Sequence, residues 1–122
     1  MSVSTVDGAS ASCSVLQLAG EADVTTPALG DALRAEVAKR PALLLVEMSR
    51  LTFLDSSALS LILRARAELD AAGCRLALVG PRGSVARMLS ISGADQLIPL
   101  YASVEEALES TAPDQGANGA TA

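Results

Sequence analysis

The sequence predicts an α/β fold with parallel strand pairing in its middle, and three observations carry that prediction. Ala42-Leu-Leu-Leu-Val46 and Arg75-Leu-Ala-Leu-Val79 are apolar runs without polar alternation, the pattern of strands buried on both faces. Stretches with helical periodicity begin at Pro27, Ser56 and Ser84 and alternate with these runs. Proline and glycine mark each change of period, at Pro41, Gly73, Gly80-Pro81 and Gly93. A chain of 122 residues has the size of one domain, able to bury a core without disulfide or metal staples.

The elements follow in order. Residues 2–19 read as a hairpin: Ser-Val-Ser-Thr-Val6 is a weak strand, Asp7-Gly8 a turn pair, and Ser14-Val-Leu-Gln-Leu-Ala19 a better strand. Gly20-Glu-Ala-Asp-Val-Thr-Thr26 is then a polar loop. Thr26-Pro27 suits a helix start, because proline needs no amide partner in the first turn and its φ is helical. That helix runs to about Arg40 with Leu29, Leu33 and Val37 on one stripe; Lys39-Arg40 favour its negative end and Pro41 stops it.

The buried strand 42–46 comes next, with Glu47-Met-Ser49 at its end and a short loop to Asp55. A long helix spans about 56–72 and is ended by Gly73. The strand 75–79 is closed by Gly80-Pro81, and residues 84–92 form a short helix ended by Gly93. Residues 97–100 are a short edge strand and 103–110 a last helix, in which Ser103 and Glu106 have capping-box spacing. From Thr111 onward the composition offers little to bury, so 111–122 is expected to be a disordered tail.

Composition removes several functions. A net charge of −5 argues against nucleic acid or an anionic membrane as partner, and Phe53 and Tyr101 alone make no stacking platform for single strands. No apolar run approaches the roughly 20 residues of a membrane span. Residues 1–12 hold no Lys or Arg, so no secretory signal is expected. The expected location is cytoplasmic, and the short chain reads as complete, without a fused membrane domain. Cys13 and Cys74 are too few and too far apart for a disulfide framework or a zinc site, and read as small apolar fillers near strands. The absence of His removes the usual general base, metal ligand and nucleophile partner. The expectation is a protein-binding module with no cofactor, not an enzyme.

The segment that can carry function is Leu51-Thr-Phe-Leu-Asp-Ser-Ser-Ala-Leu-Ser60. Asp55-Ser56-Ser57 opens a helix, whose unpaired amides and partial positive charge welcome an anion. A phosphoserine there is compatible with its own helix while adding about −1.5 to −2 charges to the surface. Taken alone, Asp-Ser-Ser is also an ordinary N-cap. Stepping about 100° per residue puts Ala58, Leu61, Ile62, Ala65 and Leu69 on a stripe facing the sheet. Leu59 and Leu63 fall off its edge, on a shoulder with Ser56 and Ser60, either as a docking patch or against a neighbouring helix. Gly80-Pro-Arg-Gly83, with Arg82 and Arg87, could cradle a phosphate. It lacks the Gly-Lys-Ser/Thr of a phosphate loop, and two glycines around a turn are ordinarily just a turn.

Gly20-Glu-Ala-Asp23, Glu47-Met-Ser49, Phe53-Leu-Asp-Ser-Ser57, Gly73-Cys-Arg-Leu-Ala-Leu-Val79, Ser92-Gly-Ala-Asp95 and Ser103-Val-Glu-Glu-Ala-Leu108 occur in this order. Together they resemble the STAS domain of bacterial anti-sigma factor antagonists, over residues 15–108. The resemblance implies a STAS-type mixed β-sheet with a parallel centre and helices packed mainly on one face, in a domain spanning 1–110. It implies that the unmodified chain binds an anti-sigma factor that is also a serine kinase of the histidine-kinase-like ATPase fold, which frees the sigma factor. The kinase phosphorylates the second serine, matching Ser57 and less readily Ser56, and binding is lost; a metal-dependent serine phosphatase restores it. Nucleotide and metal belong to those partners.

In the same resemblance Asp55 caps the helix and orients the loop, Ser56 bonds locally and Ser57 accepts phosphate. Asp23 matches a family position close to the site, or is a loop carboxylate or a cap before Thr26. With Leu59, Ser60 and Leu63 these residues make up the expected partner-binding set. The chain departs from the family pattern at Ala58, where Gly is usual, at Ser60, often Gly, and at Glu47, where Asp is usual. The alternative function is a non-switching STAS scaffold, or a subunit of a stress-signalling or lipid-transport assembly.

Overall fold

A computed structural model describes residues 2–7, 13–22 and 27–110. The chain runs β1 (Ser2–Asp7), β2 (Cys13–Ala22), α1 (Pro27–Lys39), β3 (Leu43–Leu54), α2 (Ser56–Ala71), β4 (Arg75–Val79), α3 (Gly83–Ser92), a 3₁₀ turn (Ala94–Gln96), β5 (Leu100–Tyr101) and α4 (Val104–Ser110). The strands form one sheet in the order β1-β2-β3-β4-β5. β1 is antiparallel to β2, and every other pairing is parallel. This is the mixed sheet with a parallel centre that the sequence implied.

The apolar runs without alternation are explained by two cores, one on each sheet face. Leu16, Leu18, Leu44, Val46, Met48, Leu76 and Leu78 point into the larger core under α1, α2 and α3. The residues between them, Val15, Leu43, Leu45, Ala77 and Val79, point into the smaller core under α4. Among the described residues, three helices thus share one face and α4 alone covers part of the other. On α1 the expected stripe holds: Leu29 and Leu33 are buried and Val37 packs against the larger core. The buried Glu36 on the same helix is paired with Lys39 at 3.1 Å. The Arg40 amide closes the helix on the Val37 carbonyl at 3.0 Å, with Arg40 in the left-handed region before Pro41.

Three expectations need correction. β3 does not end near Val46 but continues to Leu54. Its first half pairs with both β2 and β4, and its polar second half is held by β2 alone, so backbone pairing extends the strand where apolar character stops. β2 likewise runs on through Gly20-Glu21-Ala22, expected as loop, and accommodates the change at Gly20, whose φ is 90°. The edge strand is Leu100–Tyr101 instead of 97–100. Gly93 ends α3 in a left-handed conformation, the 3₁₀ turn follows, and the Leu97 and Ile98 amides are taken by the Ala94 carbonyl. Ile98 thereby enters the core before the strand can begin.

At α4 the Ser103 hydroxyl accepts from the Glu106 amide at 3.1 Å, while Glu106 accepts from the Ala102 amide at 2.9 Å. The box is present, with its return bond one residue earlier than the usual pattern. Gly8, Asp23, Thr26 and residues 111–122 lie outside the described residues, and so do the readings placed on them.

Candidate functional site

The start of α2 is fixed by a single residue. Leu54 ends β3 inside the larger core, and Asp55 follows in an extended conformation. Its Oδ1 accepts from the Ala58 amide at 2.9 Å, satisfying one of the donors that every helix N-terminus leaves open. Its carbonyl accepts from the Leu59 amide at 3.0 Å, and its own amide donates to the Ala22 carbonyl of β2 at 3.1 Å. Asp55 is therefore tied both to the helix it caps and to the end of a neighbouring strand. The approach is braced as well. The Thr52 hydroxyl donates to the Gly20 carbonyl and the Ser84 hydroxyl donates to the Thr52 carbonyl, both at 3.0 Å.

On this mount Ser56, Ser57 and Ser60 are all exposed. The Ser60 hydroxyl donates to the Ser56 carbonyl at 2.9 Å, so the local bond at Ser56 runs through its main chain. Ser57 sits in the first turn of α2, where the helix dipole favours negative charge. Ala58 is buried in the larger core. The methyl, at the position where the resemblance leads one to expect glycine, points into the protein and adds nothing to the surface bearing the serines.

Of the two readings open for Leu59 and Leu63, the docking patch and packing against neighbouring elements, the structure shows the packing. Leu59 is 4% exposed and belongs to the larger core, and Leu63 is half-buried against it. The buried face of α2 is Ala58, Leu59, Ile62, Ala65 and Leu69, with Leu59 where Leu61 was expected. Leu61 is half-buried and lines a small cleft against Gly30 and Arg34 of α1. Packing against α1 as well as the sheet turns the helix away from the position that the sheet alone would set. Asp23 lies outside the described residues.

One residue was missed as a surface feature. Phe53, 41% exposed, stands on the last turn of strand before the serines. A register shift between β2 and β3 pairs Gly20 with Leu51 and Glu21 with Phe53, leaving Thr52 and Phe53 outward between buried Leu51 and Leu54. Its signal in the sequence was that the chain's one Phe lies within the serine motif. Gly80-Pro-Arg-Gly83 is the irregular connection from β4 into the first residue of α3. The Gly80 amide donates to the Tyr101 carbonyl at 2.8 Å, and a Cβ at Gly80 would lie 3.3 Å from the Glu47 carboxylate. A phosphate there would meet a like charge. Among the described residues no group of three or more Cys, Asp or Glu is placed to hold a metal ion, and no helix is long and apolar enough to cross a membrane.

The family model for the STAS domain matches residues 4–107. Among solved structures, an anti-sigma factor antagonist from Mycobacterium paratuberculosis is 31% identical, with a TM-score of 0.77 over 89% of this chain and 93% of that one. The anti-sigma factor antagonist SpoIIAA in its unphosphorylated form is 24% identical, with a TM-score of 0.75 over 88% and 94% of the two chains. The Bacillus cell fate determinant SpoIIAA in its phosphorylated form is 23% identical, with a TM-score of 0.68 over 88% and 97%. No curated protein matched the chain.

Proposed function

We propose, from the premise that this chain belongs to the STAS domain family, that it is an anti-sigma factor antagonist whose docking is switched at Ser57. One observation carries the switch: an exposed serine in the first turn of α2, behind an Asp55 cap that fixes the start of that helix. The antagonist reading is supported by the identity to the mycobacterial antagonist over nearly the whole of both chains.

In this reading the unmodified surface, with Ser56, Ser57, Ser60 and the neighbouring Phe53, docks an anti-sigma factor that is also a serine kinase of the histidine-kinase-like ATPase fold. The sigma factor is released. The kinase then transfers the γ-phosphoryl group of ATP to the Ser57 hydroxyl; the hydroxyl proton is lost and ADP leaves. A surface shaped for a hydroxyl now meets a dianion, and placing that charge against apolar or acidic groups costs several kcal/mol unless it is paired. Docking is lost without rearrangement of the fold, and a serine phosphatase restores it by hydrolysis. Asp23, which follows the strand end bonded to Asp55, is assigned to the same docking surface. All of this takes place in the cytoplasm, on a domain spanning 1–110.

The test is a pull-down from native cell extract with wild type, Ser57→Ala and Ser57→Asp as parallel baits, read by mass spectrometry. The expected result is an ATPase-fold kinase held by wild type and Ser57→Ala and lost with Ser57→Asp. The same proteins on all three baits would reduce Ser57 to part of a helix start and leave a non-switching scaffold as the function.

A further inference from the structure

The sheet face that carries α4 is only partly covered by it. Beside α4, over the middle of β2 and of β3 where the pairing of β3 with β4 ends, lies a cleft of about 590 Å³ lined by Ser4, Gln17, Glu47, Ser49, Arg50 and Ser103, among others. The volume is in the range of small-molecule sites.

A break in strand alternation builds this cleft. Between the pairs Gln17↔Glu47 and Ala19↔Arg50, β2 advances by two residues and β3 by three. Met48 and Leu51 both enter the larger core, with two residues between them instead of one. Ser49 and Arg50 consequently line the same cleft as Glu47, whereas a regular strand would send Glu47 and Arg50 to opposite faces. The half-buried Glu47 is held in place: its Oε1 accepts from the Ser49 amide at 3.3 Å and the Ser49 hydroxyl at 3.0 Å. Among the described residues, the ion pairs involve neither Glu47 nor Arg50. Opposite charges thus line one cleft without neutralising each other, and hydroxyl and amide groups surround them.

We propose that this cleft binds a small zwitterion of amino-acid or dipeptide type. The Arg50 guanidinium takes its carboxylate, a geometry suited to two parallel charge-assisted hydrogen bonds. The Glu47 carboxylate takes its ammonium group, with Glu105 on the lining adding to the negative side. A ligand with one charge only would leave the other protein charge unmatched.

The test is a titration of the ¹⁵N-labelled full chain followed by amide chemical shifts, with diglycine as probe. N-acetylglycine (carboxylate only) and glycinamide (cation only) are the controls. Expected are saturable shifts at Gln17, Glu47, Ser49 and Arg50 with a Kd at or below about 1 mM, and binding weaker by about tenfold or more for either control. Glu47→Gln and Arg50→Gln should each weaken diglycine by a similar factor, while Ser57→Ala leaves it unchanged. Arg50 is exposed, so its variant remains decisive if Glu47→Gln fails to fold. Absence of saturation, equal affinity for a singly charged probe, or undiminished binding by the Arg50 variant would overturn the proposal.

Discussion

Asp55 bonds through both its side chain and its main chain, and the two differ in energy. The side-chain cap on the Ala58 amide is worth about 1 kcal/mol, so Asp55→Ala should lower the urea midpoint by that stability and Asp55→Asn by less. The main-chain bond to Ala22 survives both changes. Ser57 is different. It is exposed, and a negative charge in the first helical turn is favourable by some 0.3–1 kcal/mol. Ser57→Asp should therefore leave stability unchanged or slightly raised in the same urea titration. That separates any loss of docking by this variant from unfolding, and a midpoint that fell sharply would remove Ser57→Asp as a mimic of the phosphorylated surface.

At the scale of the element, α2 shows where a helical projection stops being informative. Leu59 in the core predicts that Leu59→Ala destabilises by about 2–5 kcal/mol, read as a lower urea midpoint. A variant that kept wild-type stability yet lost partner docking would instead restore the exposed shoulder. The sequence set the angles between the residues of α2, but not its rotation about its own axis, which depends on α1 and the sheet packing from two directions. Other elements were legible for local reasons. Strand 75–79 is bounded by glycines and buried on both faces, and Asp55 caps α2 through a bond spanning three residues. The polar half of β3 was not legible, because Arg50, Leu51, Phe53 and Leu54 are held in strand by pairing with residues some thirty positions earlier, and Ser49 and Thr52 fall at breaks in that register. The Glu47–Arg50 cleft and the exposure of Phe53 depend on register shifts in that same pairing, and no local pattern encodes them.

For the molecule as a whole, two cores on opposite sheet faces mean that different residues report on different parts of the fold. Cys13 is buried in the smaller core under α4, and burial raises its thiol above the ordinary 9.0. Cys74, just before β4, is half-exposed. Because alkylation requires an accessible thiolate, iodoacetamide under native conditions should label Cys74 well before Cys13, as read by peptide mass spectrometry. Equal rates would mean that α4 detaches readily. The sign of the Cys13 shift adds a pH dependence. Its contribution to stability is fully present below the unfolded thiol pKa and declines as pH rises through the raised folded value.

The position of α4 also sets how the protein can be handled. It is the last described element and lies on the sheet face opposite α2, so Ser110 stands at the back of the molecule. A tether, fluorescent reporter or fused domain joined directly at Ser110 starts on the face away from the serines and leaves their surface free to meet another protein. An N-terminal attachment precedes β1 at the sheet's edge, where its bulk competes for an unpaired strand flank. Bait molecules are best anchored at Ser110.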